Sequence, residues 1–287
     1  MFGRFGKDAG SLLGVEIAPD SVRLLQLHRR SGRPTVAAWA QEPFEPLADG
    51  EWSRSPGPVV DALRRAYRRS GTRQRRVAVA LPANQVICKK CRLPAGQADA
   101  EIEAQLLADA DRLFPFPLED LALDFQVTGA SQDQTNAVDV MVAACRQSVL
   151  EPLDLLFEEA GLQLDTVEVD SIALCRAMPQ EQRCGSALLR LEHHRATLHR
   201  WQRDGLPQRR EWPLQSADLG CLDEGSVDAE ALDRLLIASS SMTDPGRLQA
   251  LSLQLNVPCR PWSPVTGLQQ CDGAMVLVWG LALGGMR

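Results

Sequence analysis

The chain has 287 residues, 45% of them hydrophobic and 24% charged, with a formal net charge of -6. That balance suits a globular protein with ample core material and argues against wholesale nucleic-acid binding. One Tyr, seven Phe and six Trp leave little for a base-stacking platform, and eight Cys are not needed as staples at this length.

In chain order, Met1 to Lys7 lacks the apolar stretch of a secretory signal. Phe2 and Phe5 beside Arg4 and Lys7 offer only a weak interfacial contact. Residues 12–17 and 21–27 predict two strands joined at Ala18-Pro19-Asp20, and residues 35–40 a third. Val59, Val60, Leu63, Ala66 and Tyr67 share one face of a helix predicted from near Pro58. It closes at Ser70-Gly71, where glycine suits a left-handed cap. Residues 77–81 form a short, continuously apolar strand. Three strands, a helix and another strand make half of a layered α/β domain.

From residue 84 the pattern becomes that of a small α+β insertion. It holds a strand around Val86, a helix over 98–113, Phe114-Pro115-Phe116-Pro117, and strands at 121–125 and 138–143. Ser148 precedes a helix bearing Leu150, Leu153, Leu156 and Phe157, ended by Gly161. Residues 164–169 and a helix at 171–178 return to the first layer. A second domain opens with a hairpin of 186–191 and 195–201. A polar, acidic linker at 215–230 follows, then a strand at 235–238, a helix at 246–255 and a short strand at Val257-Pro258. The apolar run 274–283 is about half the ~20 residues needed to cross a bilayer and is predicted as a buried strand. A hairpin opening each half hints at an old duplication. The domains expected are 1–83 plus 163–185, the insertion 84–162, and 186–287.

Several stretches carry a family resemblance. They are the opening hairpin from Leu13-Gly14-Val15-Glu16-Ile17 to Leu25-Gln26-Leu27, Leu93-Pro94-Ala95-Gly96, Phe114-Pro115-Phe116-Pro117-Leu118-Glu119, Ala143-Ala144-Cys145-Arg146 and Gly280-Leu281-Ala282-Leu283. In this order they resemble the PilM family of type IV pilus proteins, actin-like and related to the division protein FtsA. The MshI-type paralogues share that fold. The resemblance implies an actin-like (ribonuclease H-like) α/β fold with an inserted α+β subdomain and a reduced second domain.

Nucleotide binding in this fold rests on three loops. Two hairpins supply a carboxylate for a hydrated metal and a glycine turn whose N–H groups approach phosphate. A glycine-paired loop lies flat against adenosine. After Gly14 this chain has Glu16 where the family shows Asp, with Ala18-Pro19 in the turn; proline removes a donor. Arg190-Leu191-Glu192 stands where Asp-x-Gly is expected, and Ser239-Ser240 replaces Gly-Gly. The segment between the second and third motifs is also too short for the usual second small lobe. At ~1–3 kcal/mol per lost charge-assisted contact, several such losses cost roughly 10³-fold in affinity. The expectation is a protein without cofactor or ATPase activity.

Other constellations are weaker. Cys88 and Cys91 form C-x-x-C, but a zinc site of this type requires a second Cys/His pair. On a strand, residues three apart face opposite ways; reduced thiols are the ordinary reading. His193, His194 and His199 lack an Asp or Cys that would complete a metal set. Arg64, Arg65, Arg68, Arg69, Arg73, Arg75 and Arg76 make a basic segment. Its ordinary reading is a solvated helix end, and its sharper one contact of Arg64, Arg65, Arg68 and Arg69 with an anionic membrane surface.

The resemblance implies a cytoplasmic adaptor, peripheral at the inner membrane, that grips the N-terminal tail of a PilN-type bitopic protein and links it to cytoplasmic motor components. In the family that tail lies between the first layer and the inserted subdomain, where Phe114, Phe116, Leu118, Leu121 and Leu123 are the expected wall. An active actin-like ATPase of a pilus or type II secretion platform, and a C-x-x-C redox or zinc protein, are the competing readings.

Overall fold

The computed structural model describes residues 11–45, 52–179, 185–192, 194–201, 207–214, 219, 222, 224–227, 232–239, 244–263 and 273–286. Phe2, Arg4, Phe5, Lys7, Cys184, His193, Cys221, Ser240, Cys271 and most of the 215–230 linker lie outside them.

The first half runs β1 Leu13–Ile17, β2 Ser21–Arg30, β3 Arg33–Pro43, α1 Gly57–Ser70 and β4 Arg76–Leu81. The insertion adds β5 Ile87–Pro94, α2 Asp99–Ala108, α3 Ala110–Leu113, β6 Leu121–Ala130, β7 Ala137–Arg146 and α4 Gln147–Glu159. The chain then returns through β8 Gln163–Val169 and α5 Asp170–Ala177. The second half holds β9 Ser186–Glu192, β10 Arg195–Trp201, β11 Pro207–Pro213, α6 Glu224–Val227, β12 Arg234–Ser239, α7 Pro245–Leu255, β13 Cys259–Pro261 and α8 Val276–Gly284.

The two large sheets have the same plan. Their orders are β3-β2-β1-β4-β8 and β11-β10-β9-β12-β13. In each, the first three strands are antiparallel neighbours and the last two join in parallel. β1 sits mid-sheet and is buried from Leu13 through Glu16, the charged residue included. The inserted subdomain is a separate antiparallel sheet, β5-β7-β6.

α1 buries Val59, Val60, Leu63 and Ala66 against one face of the first sheet and ends on Gly71 at φ 69°, as its sequence predicts. Val276, Val278, Trp279 and Leu281 of α8 fill the opposite face, together with α5 and with Leu188 and Leu236 of the second sheet. One core therefore belongs to both halves. Two glycines allow it. A Cβ on Gly14 would meet the carbonyl oxygen of Val278 at 2.4 Å, and one on Gly280 the carbonyl oxygen of Ala173 at 1.9 Å.

Some expected elements differ. The 274–283 run is a helix, not a strand; it is buried on every side, so it carries no amphipathic period to tell the two apart. β11 was not predicted, because Pro207-Gln208-Arg209-Arg210 at a sheet edge has neither apolar alternation nor β-branched residues. The single helix expected over 98–113 breaks at Asp109 into α2 and α3.

Candidate functional site: a cleft closed by ion pairs

β1 and β9 are the equivalent strands of the two sheets, and their hairpins have the same register. Glu16 pairs with Arg23 in β2, and Arg190 pairs with Thr197 in β10, seven residues on in both cases. Glu16 and Arg190 therefore occupy matching positions of the two halves. Across the cleft they meet: Arg190 Nη2 donates to Glu16 Oε1 at 2.5 Å. Arg23 Nη1 donates to the other Glu16 oxygen at 3.3 Å, and Arg190 Nη2 reaches Glu192 Oε1, also at 3.3 Å. Arg195 Nη2 closes the chain on Glu192 Oε2 at 2.8 Å.

Burial makes these charges consequential. Side chains of Glu16, Arg23 and Arg190 are 7%, 7% and 10% exposed. Burial alone would lower the pKa of Arg190, but Glu16 and Glu192 beside it raise it, so the cation is secure. Burial likewise pushes Glu192 up, and Arg190 and Arg195 more than offset it, holding the carboxyl below its ordinary value. An arginine fixed in this way is a permanent buried cation at the β9 position that matches Glu16 of β1.

The start of α5 adds a second set of contacts. Asp170 Oδ1 accepts from the backbone N–H of Ala83 at 3.0 Å, and its Oδ2 lies 3.8 Å from Arg209 of β11. Burial raises the Asp170 pKa, against the lowering effect of Arg190 and Arg209. Ser171 Oγ is 2.8 Å from His199 Nδ1, and Trp201 Nε1 donates to the Ser171 carbonyl at 2.7 Å. Burial, then Arg190 and Arg209, put the His199 pKa well below 6.5, so the imidazole is neutral near pH 7. Ser171, His199 and Asp170 are not a catalytic triad. The carboxylate bonds to the serine, whose hydroxyl donates to Asp170 at 3.1 Å, and does not orient the histidine.

A cavity of about 450 Å³ opens from this network. Its polar end is Glu16, Arg190, Glu192 and His199; its apolar end lies between Pro19, Phe44 and Trp52 of the first layer and Val149, Pro152 and Leu153 of α4. α4 is fixed there by Asp120, whose carboxylate accepts from the Ser148 backbone N–H at 2.9 Å and from Arg146 at 2.9 Å. The Ser148 bond is the main reason the Asp120 carboxyl titrates below its ordinary value.

Of the five residues expected as a peptide wall, none lines this cavity. Phe114 is 3% exposed in the subdomain core, with Phe116, Leu121 and Leu123 packed against that core. Arg146 lies over the Phe116 ring at 5.2 Å. Leu118 alone is well exposed, at 52%, in the turn that delivers Asp120 to α4. Val149, Pro152 and Leu153, which line the cavity from α4, read in sequence simply as the apolar stripe of a helix.

Gly14 packs on α8 and Ser239 is buried at the end of β12. Cys88 packs against the first-sheet core and Cys91 against the subdomain core, on opposite faces of β5. Burial raises both thiol pKa values. Among the described residues no cluster of three His, Cys, Asp or Glu is placed to hold a metal. The arginine segment is largely engaged. Arg64 donates to the Glu159 carbonyl at 2.6 Å, Arg65 to that of Pro43 at 3.1 Å, and Arg69 to Glu42 at 2.7 Å.

Two five-stranded sheets of identical order, sharing a buried helix and facing each other across a cleft, define an actin-like α/β protein. Within that class, the chain belongs to the family of the type IV pilus assembly protein PilM, whose family model matches residues 14–188. A solved PilM-PilN type IV pilus biogenesis complex has a chain similar at TM-score 0.72 and 20% identity, covering 98% of this chain and 100% of that one. The ethanolamine utilization protein EutJ of Carboxydothermus hydrogenoformans is similar at TM-score 0.52 and 12% identity, over 95% of this chain and 89% of its own. A Bacteroides thetaiotaomicron protein of actin-like ATPase fold is similar at TM-score 0.47 and 10% identity, over 93% and 95%.

Proposed function

We propose that this chain is a nucleotide-independent adaptor of a type IV pilus platform, held at the cytoplasmic face of the inner membrane by the N-terminal tail of a PilN-type bitopic protein. Through that contact it links the platform to cytoplasmic motor components. The observation that carries this reading is the cavity itself. Its apolar end offers a peptide burial against Trp52, Val149 and Leu153, while its polar end is already filled by the Glu16–Arg190 pair. The relative solved as a PilM-PilN complex supports the choice of partner. No helix among the described residues is long and apolar enough to cross a membrane, so on this reading attachment comes through the partner.

The arginines do not compete well as an anchor. Arg64, Arg65 and Arg69 already donate to carbonyls and to Glu42, and attachment by exposed charge would be screened beyond about 8 Å at physiological salt. Fractionation of cells with and without the bitopic partner, washed at low and high salt, tests the proposal. The protein should stay on membranes through high salt only when the partner is present. Partner-independent attachment that salt removes would instead make the arginine face the anchor.

A further inference from the structure

Two ion pairs inside the halves and one between them form a set. Within the first half, Glu16 has Arg23 at 3.3 Å; within the second, Arg190 has Glu192 at 3.3 Å. The bond across the cleft, Arg190 to Glu16 at 2.5 Å, is the shorter. If the cleft opened, neither charge would be stranded. Glu16 would fall back on Arg23, and Arg190 on Glu192, itself backed by Arg195 at 2.8 Å. A buried ion pair normally resists separation because each partner is left as a bare buried charge. Here the reserve partners reduce that penalty.

We infer that Glu16 and Arg190 are a releasable latch that sets the closure of the two halves, in the place where a ligand would otherwise have to bridge the hairpins. The far side of the cleft is held by the shared α8 core, where Leu188 and Leu236 meet Val276 and Trp279. α8 and the latch therefore stand as hinge and clasp. The other contacts between the halves include a longer ion pair, Arg209 to Asp170 at 3.8 Å, whose arginine also pairs with Glu211 inside the second half. Ser171–His199 and Trp201 to the Ser171 carbonyl are single neutral hydrogen bonds, which can be exchanged for water as the cleft opens. Closure set by side chains of the chain itself needs no nucleotide. It should respond to substitution of either clasp residue or its reserve partner, in opposite directions. This inference stands independently of which partner the protein binds.

His199 reports the state of the cleft: it is 0% exposed when closed, whereas His28 lies on the surface. The full-length protein is treated with diethyl pyrocarbonate, and carbethoxylation at each histidine is followed by mass spectrometry. In the unaltered protein His199 should react at least ten-fold more slowly than His28. Arg190→Met should bring His199 toward the His28 rate, with Glu16→Gln as the second opening variant should Arg190→Met not fold. Glu192→Gln, which removes the reserve partner, should slow His199 further. Circular dichroism confirms that each variant is folded. Equal His199 rates in the unaltered protein and both opening variants would overturn the latch. So would a Glu192→Gln protein that opens.

Discussion

Glu16 and Arg190 stand at the same position of the two sheets, 174 residues apart in sequence, and are joined by a 2.5 Å ion pair. Opposite charges at the two matching positions attract, so the halves are joined there by their own side chains.

The pair should be worth more to stability as a pair than by parts. Arg190→Met alone is expected to cost about 3 kcal/mol, the low end for breaking a buried ion pair, because Arg23 remains beside Glu16. The double variant Glu16→Leu/Arg190→Met should recover much of that loss. Urea unfolding of the two singles and the double completes the cycle, and strict additivity would show that the residues do not act together.

His199 predicts an acid-side weakness. Its folded pKa lies well below 6.5, so below about pH 6.5 the unfolded chain takes up a proton that the folded chain refuses. The stability it contributes is present above that pH and is lost as pH falls, at up to about 1.4 kcal/mol per pH unit. Glu192, held low by Arg190 and Arg195, loses its own contribution only as pH falls through the carboxylate range. His199→Phe should lower stability at pH 8 yet flatten the slope between pH 6.5 and 5. An unchanged slope in urea titrations would show that another group governs it.

Gly280→Ala should be severe. The added methyl would sit 1.9 Å from the Ala173 carbonyl, a backbone atom with α5 behind it. Overpacking of this kind costs about 1–3 kcal/mol or more, beyond any gain from helix propensity. Thermal unfolding checks it; a variant as stable as the original would mean that α5 and α8 can separate at no cost.

Cys88 and Cys91 serve packing on opposite faces of β5. Replacing both with Val should leave the protein folded and change its stability by no more than about 1–2 kcal/mol. Metal analysis of untagged protein accompanies the measurement. Stoichiometric zinc, lost in the double variant, would contradict the packing role.

Much of the architecture was legible, for identifiable reasons. β1 and β2 are apolar-rich runs joined at Ala18-Pro19-Asp20, α1 has a clean apolar face with Gly71 at its end, and the hairpin at 186–201 repeats the first. α8 was not legible because Val276 to Ala282 are buried all round, erasing the period that separates helix from strand. The site was half legible. Arg190 and Glu192 standing where Asp-x-Gly is expected showed in the motif, but not that Arg190 would reach Glu16, because that contact depends on how the two sheets are brought together. Phe114 is buried in the subdomain core, Phe116, Leu121 and Leu123 pack half-buried against it and Leu118 is exposed, a division that an aromatic-proline segment does not announce in sequence.

An adaptor of this kind has a partner site that works without nucleotide. Calorimetric titration of a synthetic peptide, matching the cytoplasmic N-terminal tail of the PilN-type protein from the same genome, onto the purified full chain tests it most directly. The titration is run with and without magnesium and ATP. Saturable one-to-one binding that ATP leaves unchanged is expected, weakened at least ten-fold by Leu153→Asp. Binding that appears only with ATP, or tightens ten-fold or more in its presence, would contradict it.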